Sequence, residues 1–169
     1  MKIEIGAGTK GAAGYLHVDA VELEGVDVVD DGRTLATFEA GVADEIYSHW
    51  FLEHLSSIEV PSTLARWIEV LSPGGKVHLV TNNHEAHNRC LQEGEITWEE
   101  WSYLIYAVAN KRNYNVWDVH KSAWNERLLA DTLRAAGFER VEVRAQWKCR
   151  EEDGRLKCPA LIATGYKPS

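Results

Sequence analysis

The chain has 169 residues, of which 45% are hydrophobic and 26% charged. That is the balance of an ordinary globular protein, so a wholly disordered chain is excluded, and one domain over residues 1–169 is expected at this length. Asp and Glu outnumber Lys and Arg by 26 to 18, for a formal charge of -8, a field that disfavours a general nucleic-acid binder. No apolar run approaches the roughly 20 residues that span a bilayer, and the opening MKIEIGAG lacks the apolar stretch of a signal peptide. These features predict a cytoplasmic chain with no membrane partner.

In chain order, residues 2–5, 15–21, 26–30, 43–49 and 76–81 are short runs rich in β-branched residues and predict five buried strands. Between the last two, Leu64, Trp67, Ile68 and Leu71 recur at helical spacing over 62–71, and Ser72-Pro73-Gly74-Gly75 stops the helix. Thr97-Trp98-Glu99-Glu100 is a capping box that opens a second helix, with Trp101, Leu104, Ile105 and Val108 as its apolar stripe. A third helix over 125–136 places Leu128, Leu129, Thr132, Leu133 and Ala136 on one face and ends at Gly137. Residues 140–147 and 160–166 flank the polar turn at Asp153-Gly154 and read as a closing hairpin.

This order predicts an α/β fold: a Rossmann-like, mostly parallel seven-stranded sheet with helices on both faces and an antiparallel C-terminal hairpin strand. Ligands of such sheets bind beyond the carboxyl ends of the strands. The three cysteines, Cys90, Cys149 and Cys158, fit neither a disulfide framework nor a zinc knuckle and are expected to be reduced packing residues.

Gly6-Ala7-Gly8-Thr9-Lys10-Gly11 is a glycine-rich turn directly behind the first strand, where missing Cβ atoms let backbone approach a ligand. Asp19 ends the second strand, and a carboxylate there can accept both hydroxyls of a nucleoside ribose. It follows Gly6 by 13 residues, which leaves no room for a long crossover helix and counts against a dinucleotide site with pyrophosphate on a helix N-terminus.

Glu4-x-Gly6-x-Gly8, Asp19, Val26-Asp27-Val28-Val29-Asp30-Asp31 and Asp44-Glu45-Ile46-Tyr47-Ser48-His49 recur together with two more specific segments, Leu52-Glu53-His54-Leu55 and Leu71-Ser72-Pro73-Gly74-Gly75-Lys76. On these residues, and on Asp118-Val119-His120-Lys121 and Ala136-Gly137-Phe138, the chain resembles the class I S-adenosylmethionine-dependent methyltransferases. The likeness is to a small branch whose first two strands are joined by a short loop. The resemblance implies S-adenosyl-L-methionine as cofactor. It places Glu4, Gly6, Ala7 and Gly8 at the methionine moiety, Asp19 and Ala20 at the ribose, Asp31 and Gly32 beside the adenine, and Ser48 and His49 at the sulfonium and acceptor. Thr34-Leu35-Ala36-Thr37 stands where that family often has Leu-Pro-Phe.

Five of the seven histidines, His49, His54, His84, His87 and His120, fall near the edge where substrate should bind. His49, His54 and His120 are the candidate bases, since an imidazole can take a proton from a hydroxyl or amine near neutral pH. His84-Glu85-Ala86-His87 and Asp118/His120 offer metal-ligand types, but the i, i+3 histidine spacing is not that of a helical zinc pair, and no metal is expected. Residues 88–117 are the expected cover over the acceptor, with Trp98, Tyr114 and Trp117 as its candidate walls. The function expected is methyl transfer to O or N of a small-molecule acceptor by a monomer or homodimer. The alternatives are a cofactor-binding but inactive interaction module and, behind it, an NAD-dependent oxidoreductase.

Overall fold

Seven strands form one sheet in the computed structural model, which describes residues 1–106 and 119–169. They are β1 (Lys2–Ile5), β2 (Leu16–Asp19), β3 (Val28–Val29), β4 (Ala43–His49), β5 (Leu71–Asn82), β6 (Glu139–Ala145) and β7 (Ala160–Tyr166), lying in the order β3-β2-β1-β4-β5-β7-β6. β1 to β5 run parallel, and β7 is antiparallel to both β5 and β6. The expected mostly parallel sheet with antiparallel C-terminal strands is therefore present.

The helices are α1 (Glu59–Val70), α2 (His84–Gln92), α3 (Trp98–Tyr106) and α4 (Glu126–Ala135), with a single 3-10 turn at Leu52–His54. α1 begins ahead of the predicted start because Pro61 lies in its first turn, where a missing N–H costs nothing. Leu71 belongs to β5, and Pro73-Gly74-Gly75 forms a bulge inside that strand: pairing shifts from Ala43–Leu71 to Glu45–Lys76. A Cβ on Gly75 would sit 2.8 Å from the Ser72 carbonyl oxygen, which requires glycine there.

The capping box is formed, with the Thr97 N–H donating to Glu100 Oε2 at 2.9 Å and the Glu100 N–H to Thr97 Oγ1 at 3.2 Å. α2 was not expected. Asn83 caps it by accepting from the Ala86 N–H, and its buried face is His84, Ala86, His87 and Cys90, a set without the aliphatic stripe that signals a helix. In α4, Asn125 is the cap and the inward face is Leu129, Ala130 and Leu133, while Leu128 faces solvent.

Leu64 and Trp67 of α1 and Leu129 and Leu133 of α4 share one core with Ile3, Ile5, Ile46, Val77, Leu79 and Leu161. Both helices thus pack on the same face of the sheet. The strand residues between those core positions, Glu4, Glu45, Tyr47 and His78, point to the other face. There Tyr15 Oη donates to Glu45 at 2.8 Å, and Lys2 and Lys76 each lie 3.1 Å from the same carboxylate. α1 and α4 cover the apolar face.

α2 and α3 build a smaller cluster around Cys90, Ile96, Leu104 and Cys149. Within it Cys90 and Cys149 are joined as a disulfide across 59 residues of sequence, which corrects the expectation of three reduced thiols; Cys158 is the free one. Packing of α2 against the segment after β6 brings the pair together, and no local spacing encodes it. Among the described residues no helix is long and apolar enough to cross a membrane.

Trp67 is fully buried and its indole N–H donates to the Gly32 carbonyl at 2.8 Å. Trp67→Ala is expected to cost about 3–5 kcal/mol in urea unfolding, and Trp67→Phe, which keeps most of the ring and loses the hydrogen bond, distinctly less.

Candidate functional site

The carboxyl ends of β1, β2 and β3 converge on a cleft of about 370 Å³. Gly6 and Gly8 leave β1 with φ of 71° and 56°, the left-handed region that glycine enters without strain. The N–H groups of Gly6 and Ala7 both donate to the Val18 carbonyl, at 2.9 and 3.3 Å, which fastens the loop to β2. The Asp19 carboxylate completes the turn, accepting from the Gly8 N–H and the Val21 N–H at 3.0 Å each.

Phe51, after β4, is wedged between two of these strand ends. A Cβ on Gly6 would lie 3.2 Å from its ring, and one on Gly32 would lie 2.9 Å from the ring and collide with the Ile5 side chain. Trp50, the preceding cleft residue, adopts φ 54°, a strained value for a side chain of that size.

Of the residues singled out from sequence, Gly6, Gly8, Asp19, Ala20, Asp31, Gly32 and His54 line this cleft. Glu4, Ala7, Ser48, His49 and His120 do not. Glu4 lies behind the glycine loop, accepting from the Ala12 N–H, with His17 Nε2 at 3.6 Å from the same oxygen. Ala7 is buried beneath the loop. Strand alternation sends Ser48 and His49 to opposite faces: Ser48 is buried and its Oγ has no hydrogen-bond partner among the described residues, while His49 is exposed and stacks on Tyr47. Partial desolvation by its neighbours still lowers the pKa of the His49 ring. Trp98 is exposed, edge-on to Trp101; Val108, Tyr114, Trp117 and Asp118 lie outside the described residues.

Arg33 and Glu59 also line the cleft and were not anticipated. The Arg33 guanidinium grips Asp31 through Nε at 2.9 Å and Nη2 at 2.7 Å, and reaches Glu59 through Nη1 at 2.7 Å. The Ser56 N–H and Oγ donate to the other Glu59 oxygen at 2.8 and 2.7 Å. Hydrogen bonds from Arg33 hold the Asp31 carboxyl below its usual range, and those from Ser56, then Arg33, lower Glu59 to about 2. Asp31 therefore presents an ionised carboxylate, paired with Arg33, to the cleft.

His54 forms the opposite wall, and a second group of residues gathers behind it. The segment at 119–122 is fastened to the 3-10 turn: the Lys121 and Ser122 N–H groups donate to the Glu53 carbonyl at 2.7 and 3.2 Å, and Ser122 Oγ donates to the Leu52 carbonyl at 3.2 Å. This docking places His120 beside His54, ring centroids 5.0 Å apart, and shuts the Glu53 side chain away from solvent. Thr81 Oγ1 donates to Glu53 Oε2 at 2.9 Å. Burial pushes the Glu53 carboxyl up to about 7 and His120 down to about 4. The histidines of the His84-x-x-His87 pair serve elsewhere: His84 Nδ1 accepts from the Trp124 N–H at 3.1 Å, and His87 Nε2 lies 3.5 Å from Cys158 Sγ.

The Glu59 pairing carries a pH signature. Its folded value of about 2 lies below the ordinary 4.5, so the stability it contributes is present above pH 4.5 and is lost as pH falls toward 2. Thermal unfolding from pH 6 to pH 2 is expected to show that decline, and Glu59→Gln to flatten it. An unchanged slope in the variant would contradict the pairing.

No family model matches the chain, and no curated protein matches it. Solved structures do. A SAM dependent methyltransferase from Archaeoglobus fulgidus superimposes with a TM-score of 0.66 at 14% identity, over 98% of this chain and 85% of that one. The 1,6-didemethyltoxoflavin-N1-methyltransferase of Burkholderia thailandensis gives 0.65 at 18% identity, over 99% of this chain and 71% of that one. The CurJ carbon methyltransferase gives 0.64 at 18% identity over 99% of this chain, which spans only 48% of the CurJ chain. With its strand order and its cleft at the strand ends, the chain has the fold of the class I S-adenosylmethionine-dependent methyltransferases.

Proposed function

We propose that the chain is an S-adenosylmethionine-dependent methyltransferase that acts on an oxygen or nitrogen of a small molecule. The observation that carries this reading is the convergence of Gly6, Gly8, Asp19, Asp31 and Gly32 on one cleft at the carboxyl edge of the parallel strands. Its volume, about 370 Å³, lies within the range of cofactor-sized sites. The residues present fit the cofactor: Gly6 and Gly8 bring main chain to the cleft without side chains, and the Asp19 carboxylate at the end of β2 is of the type that accepts ribose hydroxyls. Gly6 and Gly8 would hold the methionine part, Asp19 and Ala20 the ribose, and Asp31 with Gly32 the adenine edge.

The cofactor, when bound, supplies an electrophilic methyl group on its sulfonium. The chain's contribution is to hold the acceptor in line and to manage the proton it loses. Of the three predicted bases only His54 lines the cleft, so proton release is assigned to the wall that His54 forms. His120 stands behind it and, at about 4, stays neutral yet holds a proton weakly.

Small-molecule acceptors are supported by the neighbours: the Burkholderia enzyme was solved with 1,6-didemethyltoxoflavin and S-adenosylhomocysteine, and a Haemonchus contortus phosphoethanolamine N-methyltransferase 2 was solved with S-adenosyl-L-methionine. The formal charge of -8 argues in the same direction, against a nucleic-acid acceptor. An NAD site is disfavoured, since no helix follows the glycine loop before β2 to receive a pyrophosphate.

Calorimetric titration tests the reading. S-adenosylmethionine and S-adenosylhomocysteine are expected to bind while NAD does not, and Asp19→Ala, which removes a charged acceptor, to weaken both by roughly ten- to a hundredfold. Failure of both sulfur ligands to bind the wild-type chain would overturn the proposal. Binding without transfer to any hydroxyl or amine acceptor would favour an inactive cofactor-binding module.

A further inference from the structure

We propose that Glu53, His54 and His120 form a binding site for a divalent transition-metal ion, of the class of Zn²⁺, Co²⁺ or Mn²⁺, on the acceptor side of the cleft. One ligand atom from each residue lies within 4.8 Å of the others, against about 3.3 Å between tetrahedral ligands at bonds of about 2 Å, so the three side chains draw inward when an ion binds.

The second observation is the state of Glu53. Its side chain is fully buried, Thr81 satisfies one oxygen, and Oε1 has no hydrogen-bond partner among the described residues. No Lys or Arg among the described residues pairs with it. A carboxylate shut in without a counter-charge is costly, and a cation bound at the bare oxygen removes that cost.

The histidines are set for the same task. His54 Nδ1 lies 3.3 Å from the Val119 carbonyl oxygen, and His120 Nδ1 lies 3.0 Å from the Ile105 carbonyl oxygen. A ring that donates from Nδ1 to a main-chain carbonyl carries its lone pair on Nε2, the usual outer arrangement around a metal-bound imidazole. With Nδ1 as the donor, the Asn82 amide 3.0 Å away turns its oxygen toward it, which gives the Oδ1 that otherwise lacks a partner among the described residues a hydrogen bond to accept. Two imidazoles and one carboxylate suit first-row transition ions rather than Mg²⁺ or Ca²⁺, which prefer all-oxygen sets.

Three protein ligands leave a coordination position open. His54 belongs both to the trio and to the cleft wall, so an ion held behind that wall would fix the imidazole and replace it as the group that lowers the pKa of an acceptor hydroxyl reaching the open position. This last assignment rests on the methyltransferase reading; metal occupancy does not, and is measured without cofactor.

The test uses the full chain without a polyhistidine tag, stripped with a chelator and titrated with Zn²⁺, Co²⁺ and Mg²⁺ by calorimetry, with visible absorption for Co²⁺. One equivalent of Zn²⁺ or Co²⁺ is expected, with Mg²⁺ at least a hundredfold weaker. Glu53→Gln, which keeps the bond from Thr81, and His120→Ala are each expected to weaken Zn²⁺ by tenfold or more, while Cys158→Ser leaves it unchanged. S-adenosylhomocysteine binding by the same variants reports whether they are folded and separates failure of the metal site from failure of the cofactor site. The Co²⁺ spectrum of wild type gives a reading independent of any variant: ligation by nitrogen and oxygen shows no thiolate-to-metal band. No stoichiometric metal in wild type, affinity that survives in both ligand variants, or a thiolate band would each overturn the proposal.

Discussion

The cleft depends on one close approach. Phe51 can lie across the ends of β1 and β3 only because Gly6 and Gly32 present no Cβ to it, and the Trp67 indole holds the Gly32 carbonyl from beneath. Around that contact the backbone is fastened in pieces: the glycine loop to β2 through the Val18 carbonyl, Asp19 to the loop through the Gly8 N–H, and Glu59 to Arg33 and so to Asp31. A core tryptophan of α1 thus holds a carbonyl at the cleft, which couples packing of the fold to the shape of the cleft. Interiors are close-packed, so a change at Trp67 is transmitted and not absorbed.

The opposite wall is assembled by a different means. Docking of residues 119–122 on the 3-10 turn uses main-chain N–H groups on the Glu53 and Leu52 carbonyls, with one serine hydroxyl. Its consequence is electrostatic, since it brings His120 to His54 and seals Glu53. The two walls differ in character: the Asp31–Arg33–Glu59 side is a paired and partly solvated ion cluster, whereas the Glu53 carboxyl is buried with no Lys or Arg partner among the described residues. The field across the cleft is set by that difference.

What the sequence made legible was local. The capping box at Thr97 and Glu100, the Asn125 and Gly137 boundaries of α4, the strand runs and the glycine turn all rest on neighbours within a few residues, and all appear in the structure. The Leu52-Glu53-His54-Leu55 segment likewise led to His54 on the cleft wall. What escaped notice depended on distance. The buried side of α2 is histidine, alanine and cysteine, so no aliphatic period marked it, and the Cys90–Cys149 bond joins partners 59 residues apart. Arg33 reads as a solvated side chain until Glu59, 26 residues on, is brought beside it. Placing both Ser48 and His49 at the acceptor overlooked the alternation of a strand, a signal that was present in the residues themselves.

Parallel sheets are ordinarily buried on both faces and built from continuous apolar runs. β5 departs from that habit after its bulge, with Val77, Leu79 and Thr81 buried and Lys76, His78 and Val80 only partly so. Its neighbour β4 carries Glu45, Tyr47 and His49 on the same half-open side, and the carboxylate of Glu45 is tied down by Tyr15, Lys2 and Lys76. Among the described residues the sheet carries its oily layer on one face and, on the other, a phenol, two ammonium groups and a carboxylate. The connection from β1 to β2 is a loop that lays no helix on the sheet, so at this edge the polar face is lined by side chains such as Tyr15 and His17.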